Sequence, residues 1–136
     1  MEDAILPWMP PTRRELITAG IAAMIEGDHD RVADMFAVDA EVQRVDQFGV
    51  VQGREAIRKW LEPDAIEPVQ ASVTALEERG DRVLATCELR MRGTGSGAEV
   101  ANTIFVVLTF RDTQVSRMEL YFQQAQAEAA AGLAAG

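Results

Sequence analysis

The sequence is poor in the residues that most reactions and metal sites depend on, with one cysteine, Cys87, and one histidine, His29, among 136 residues. That scarcity excludes an intrachain disulfide, a thiolate metal cluster, a Ser-His-Asp or Cys-His relay and a multi-histidine metal centre within one chain. Basic residues are also few. Thirteen face 22 acidic ones, a net charge of -9, and such a field repels phosphate backbones and anionic membranes. No stretch approaches the roughly 18 consecutive apolar residues of a membrane span, and the opening Met1-Glu2-Asp3 lacks the basic region of a secretory leader. A cytoplasmic protein is expected, with no nucleic acid, membrane, metal or cofactor as partner.

What is present is globular: hydrophobic residues make up 48% of the chain and charged ones 26%. One domain over 1–136 is expected, with an N-terminal arm over 1–11 and an alanine-rich tail over 123–136. Thr12-Arg13-Arg14-Glu15 reads as a capping box that starts a helix. Leu16, Ile17, Gly20, Ile21, Met24 and Ile25 then recur at helical spacing up to Gly27, a left-handed stop. Asp28 caps a second, short helix in which Val32, Met35 and Phe36 share a face. His29, between Asp28 and Asp30, reads as a solvated turn residue.

Around Ala40 the period changes, and 40–46 and 49–51 are predicted as two short paired strands. Gly53 to Leu61 returns to helical spacing, with Ala56, Ile57, Trp60 and Leu61 inward and Pro63 stopping it. Four alternating runs follow, 69–79, 82–92, 98–110 and 114–122, separated by turn residues, so antiparallel hairpins are predicted. Gly93-Thr94-Gly95-Ser96-Gly97 is one of those turns rather than a phosphate loop, because no helix and no lysine follow it. The tail after Gln123 has helix propensity and little to pack, and is expected to end as a short helix or a frayed end.

The order helix, helix, short strands, helix, four long strands is accompanied by the strings GDHDRVADMFAVDAEV, VQGREAIRKWL, RVLATCELRMRGTGSGAEV and RDTQVSRMELYF. Together they resemble the SnoaL-like branch of the nuclear transport factor 2-like superfamily, over roughly Thr12 to Leu133. The resemblance implies an α+β cone, in which three helices pack on a strongly curved, mainly antiparallel six-stranded sheet around a pocket. Members include ketosteroid isomerases, polyketide cyclases, epoxide hydrolases and dehydratases, so the fold implies a pocket and not a reaction. By strand alternation Val83, Ala85, Cys87, Leu89 and Met91 are expected to line the cone. The resemblance adds Val100, Asn102, Ile104, Val106, Leu108 and Phe110, then Met118, Leu120 and Phe122.

The positions matching the aspartate base, tyrosine and neutral acid of the steroid isomerases hold Arg44, Gly20 and Val106. Those matching the Asp-Arg-Asp set of the epoxide hydrolases hold Leu89, Cys87 and Leu120. Neither route is expected. A one-residue slip would offer Glu88 and Glu119 instead, but it would also turn the apolar set of each strand to water.

Arg44, placed by the resemblance on the concave face, reads as an anchor or electrophile for a ligand oxygen, as the partner of Asp46, two residues on, or as a side chain that reaches solvent at the rim. Asp46 is a candidate general base or a solvated turn carboxylate. Asn102 offers an amide to a ligand or to a neighbouring backbone group. Trp60, Cys87, Leu89, Val106, Met118 and Leu120 are candidate pocket wall, and Cys87 has no cationic neighbour to activate it. Trp8, in a proline-rich apolar arm, is a candidate to close the pocket or reach a partner subunit. Ala101, Thr103, Phe105 and Val107 make the second face of their strand apolar as well. Cover by another subunit is therefore expected, a homodimer through the sheet, as the resemblance also implies.

The expected function is a pocket for a small hydrophobic ligand, cyclic or polyketide-like, with isomerisation, cyclisation or hydration as candidate reactions. A non-catalytic ligand-binding or dimeric interaction module is the alternative.

Overall fold

The computed structural model describes residues 11–44, 50–62 and 66–133, with Arg44 and Ile66 described for the backbone alone. Trp8 and Asp46 lie outside the described residues. The chain runs α1 (Arg13–Glu26), α2 (His29–Ala33), β1 (Phe36–Arg44), β2 (Val50–Gln52), α3 (Arg54–Leu61), β3 (Ile66–Arg79), β4 (Arg82–Gly93), β5 (Glu99–Arg111), β6 (Gln114–Tyr121) and α4 (Gln124–Ala131). The six strands form one sheet in the order β2-β1-β6-β5-β4-β3, antiparallel throughout except where β1 lies parallel to β6.

The capping box forms as its residues dictate. The Glu15 amide donates to Thr12 Oγ1 at 3.1 Å, and the Thr12 amide donates to Glu15 Oε1 at 2.7 Å. Gly27 ends α1 at φ 79°, a left-handed conformation that costs glycine little. Arg13 fixes the start of α1 to one end of the sheet, donating to the Gly80 carbonyl and lying 5.4 Å over the Phe110 ring. That end is the base of the cone. It carries the β3–β4 and β5–β6 turns and buried side chains, among them Val83, Ala85, Leu108, Phe110 and Val115. The other end carries the β4–β5 turn, the end of β1 and the end of β6. The glycine-rich segment closes that hairpin, with the Gly97 amide donating to the Gly93 carbonyl at 2.9 Å.

The structure corrects three sequence-based expectations. The second helix stops at Ala33, and Met35 and Phe36 leave it: Phe36 opens β1 four residues earlier than its alternation suggests. The register between β1 and β6 shifts between Phe36 and Glu41, and Phe36, Ala37 and Ala40 are all buried, so the period of two is broken just ahead of the stretch where it was read. Arg54 fixes this irregular stretch by donating from Nε and Nη2 to the Phe36 carbonyl, at 3.0 and 2.7 Å.

The alanine-rich tail takes the short-helix form expected of it, and the second correction is that it has a surface to pack against. The alanine-rich tail packs as α4 on the outer face of the sheet, where Ala127 and Ala131 bury Leu84 and Val107, with Phe105, Tyr121 and Leu133 around them. Small side chains let this helix approach closely, and Arg82 Nη1 donates to the Ala130 carbonyl near its C-terminus at 2.8 Å. The cover expected from another subunit at Val107 is thus supplied by the chain itself. The third correction concerns Phe122, which falls beyond β6 and is 55% exposed rather than inward. No helix among the described residues is long and apolar enough to cross a membrane.

Candidate functional site

The concave face is built by alternation, and its burial falls steadily from base to mouth. On β4, Val83, Ala85 and Cys87 are buried, while Leu89 and Met91 are half-buried. On β5 the same trend runs backwards along the chain from Phe110, Leu108 and Val106, all buried, through half-buried Ile104 to exposed Asn102 and Val100. Cross-strand pairs Cys87–Ile104, Ala85–Val106 and Leu89–Asn102 keep the two gradients level. β6 contributes Met118 and Leu120, in register with Val42 and Arg44 of β1, and α3 contributes Trp60.

Of the candidate wall residues, Trp60, Cys87, Val106, Met118 and Leu120 belong to one apolar cluster with Ile17, Val42 and Ile57. Leu89 and Asn102 do not join it and lie towards the mouth. Arg44 ends β1 opposite Leu120, two residues past the fully buried Val42.

Among the described residues no polar or charged side chain other than the Cys87 thiol is buried. Burial pushes that thiol up to about 11, because the apolar wall disfavours the thiolate. It is therefore a small hydrophobe at neutral pH and not a nucleophile. Gly20 has a packing reason: a Cβ there would meet the Met35 sulfur at 3.0 Å, so the methionine occupies the space a larger residue on α1 would take. No group of histidine, cysteine and carboxylate side chains among the described residues has the arrangement of a metal site.

Two polar assemblies on the outer face were not foreseen from the sequence. Arg117 on β6 donates to Glu41 and Gln43 of β1 and lies 3.5 Å from Glu119, whose other oxygen accepts from the Tyr121 hydroxyl at 2.7 Å. Burial first, and the Glu119 hydrogen bond second, push the Tyr121 phenol up to about 12. The second assembly is an open groove of about 270 Å³ across β3, β4 and β5, lined by Gln70, Ser72, Glu88, Arg90, Ala101 and Thr103, with Leu89 and Asn102 bordering it. Alternation marks most of these residues as outward facing. Only the register, which a sequence does not state, brings them into rows.

The profile of the SnoaL-like domain family matches residues 17–118. No curated protein matches the sequence. A hypothetical protein with a ketosteroid isomerase-like fold from Catenulispora acidiphila, solved with trimethylamine, superposes with a TM-score of 0.73 at 22% identity, over 90% of this chain and 96% of that one. The epoxide hydrolase/cyclase-like enzyme SalBIII, of pyran ring formation in the polyether salinomycin, gives 0.70 at 19% identity, over 82% and 91%. An epoxide hydrolase of the LEH-like type from M. tuberculosis gives 0.69 at 16%, over 79% and 80%. At these identities the likeness is one of fold.

Proposed function

Since the chain belongs to the SnoaL-like domain family, we propose that it is a cytoplasmic small-molecule pocket protein whose concave face takes a hydrophobic, cyclic or polyketide-like compound. One observation supports this reading: an apolar cluster of Cys87, Val106, Met118, Leu120 and Trp60, with burial that falls along β4 and β5 towards Leu89 and Asn102. Such a wall favours ring systems and chains by area alone, at about 25 cal/mol per Å² removed from water. Arg44 supplies the polar contact in this reading, a guanidinium for a ligand carbonyl, carboxylate or phenolate, and Asp46 is the candidate base. Its support is positional, since β1 ends at Arg44 in register with Leu120. Turnover would be an isomerisation, cyclisation or hydration that uses electrostatic help at an oxygen and no cofactor. Proteins of the same fold, among them an epoxide hydrolase and a cyclase-like enzyme, fall in the same range of chemistry.

A second reading, a binding module without turnover, is favoured by the absence of any buried acid or base from the described wall. A panel of lipophilic ketones, epoxides and phenols separates the two. Thermal shift finds the ligands, and product analysis on the hits finds turnover. Arg44→Met is expected to weaken the hits on the order of tenfold or more, the scale of a charge-assisted hydrogen bond. Hits unaffected by Arg44→Met remove Arg44 from the site, and no hit across the panel removes the pocket.

A further inference from the structure

Three strands outrun the rest of the sheet. β6 stops at Tyr121, opposite Phe105, and β1 stops at Arg44, opposite Leu120. Past that step β5 continues as residues 99–104, paired with β4, and β3 accompanies β4 to its end, where Ile66 lies opposite Gly93. Three rows, set level by the register, cross the concave side of this overhang. Val73, Cys87 and Ile104 form the first, and all three pack into the apolar cluster. Ala71, Leu89 and Asn102 form the second, and Pro68, Met91 and Val100 the third. The two outer rows reach about 13 Å beyond the cluster, at about 3.3 Å for each residue from Cys87 to Met91. They carry one amide and no charge. The charges of this stretch sit on the opposite face and are already paired, Arg90 with Gln70 and Glu99, Arg92 with Glu67. Cover runs out in the same direction. Leu89 and Met91 are half-buried, while Val100 is 56% exposed and Phe122, at the step where β6 stops, is 55% exposed.

From this continuity we infer that the overhang seats the tail of the ligand: the compound taken by the concave face is uncharged and elongated, a ring or carbonyl head carrying an open hydrocarbon chain, with Met91 and Val100 as its last contacts. The inference rests on the reading of the concave face as a pocket. The register gives the direction. Arg44 stands level with Leu120, and Leu120 with Val106, one row short of Ile104. Towards the base the way is filled by Val83, Ala85 and Leu108, all buried, so a chain leaving a head held at Arg44 has the rows of Leu89 and Met91 ahead of it. The strip is also the wrong size for a protein. Two rows over three strands cover roughly 13 by 10 Å, far short of the about 800 Å² that each partner of a stable complex contributes, yet broad enough for a single hydrocarbon chain.

Isothermal titration of the full chain with para-alkylphenols of increasing chain length is the test. A methylene fully removed from water strengthens binding about fourfold, and one with a single side against the strip about twofold. Affinity is therefore expected to rise about twofold per methylene along the series. Val100→Asp is expected to flatten this rise for the long members and to leave the shortest phenols unchanged. The near-isosteric Val100→Thr should flatten it less, and it serves in place of the first if circular dichroism shows the aspartate disturbing the strand. Val38→Asp, at a 71% exposed valine near the base, is the control and keeps the wild-type rise. Short phenols that bind in a wild-type series without a rise overturn the tail site and leave the pocket standing. A rise that survives the Val100 substitutions overturns it as well. If no phenol of any length binds, the pocket reading falls and the tail site with it. Self-association that Val100→Asp abolishes, with the rise unchanged, assigns the strip to a second copy and overturns the inference.

Discussion

Two side chains report their surroundings through titration. The Cys87 thiol is raised from 9.0 to about 11 by burial, so the folded chain holds this proton more tightly than the unfolded one. The stabilisation is fully present below pH 9 and is lost as pH rises towards 11. Wild type is therefore expected to lose more stability than Cys87→Ala between about pH 8 and 10.5, read from urea midpoints. Alkylation of the native protein should be slow at neutral pH and accelerate only in strong alkali. Tyr121 is the single tyrosine of the sequence, so its phenolate absorbance is free of overlap from others. The expected midpoint is about 12, against 10.0 for an unperturbed phenol, and a midpoint at 10 would show neither the burial nor the Glu119 contact present in solution. At this scale the sequence was legible where alternation held: Cys87, Val106, Met118 and Leu120 reach one cluster as their phase requires. It was not legible for Phe122, because β6 ends one residue before it. Nor does it show Gly20 ceding room to the Met35 sulfur, a contact between residues that no period relates.

Elements were read well where their signals are local. The capping box, the Gly27 stop and the Gly93–Gly97 hairpin all depend on residues a few positions apart. Thr12→Ala is expected to cost about 1 kcal/mol in a denaturant melt, the usual loss of an N-cap hydroxyl. The start of β1 escaped because its shifted register places Phe36, Ala37 and Ala40 all inside, a pattern that reads as neither helix nor strand. The short helix of the tail was legible, but its docking on the sheet escaped for a different reason. Its alanines announce propensity, but the surface they cover is assembled from β4, β5 and β6, and only that assembly makes the helix worth forming. A carboxylate placed under α4 tests its docking: Ala131→Glu is expected to cost about 2 kcal/mol or more in the same melt, since it puts a charge into the contact with Leu84 and Val107. Glu at Ala129, on the exposed side of the same helix, is the control and should be nearly neutral.

Across the whole molecule, burial is graded along the strands, and amide hydrogen exchange should follow it. Protection is expected to be greatest at Val83, Ala85, Val107 and Leu108 and to decline towards Val100 and Met91, along the same hydrogen-bonded ladders. Uniform protection along β4 and β5 would contradict a rigid base and a looser mouth. The α+β cone itself was legible from the order of elements and four family-like strings, since both survive errors of a few residues at element ends. The strand order has a temporal corollary. β1 and its short partner β2 are made early, yet β1 finds its other neighbour in β6, the last strand synthesised. Until that strand emerges from the ribosome, the first third of the chain has one neighbour instead of two and waits beside an incomplete ladder. Closing so long a loop is the slow part of such topologies. A nascent chain halted at the β5–β6 turn should accordingly remain open to protease in its N-terminal third, while the β3–β4–β5 meander behind it has already paired.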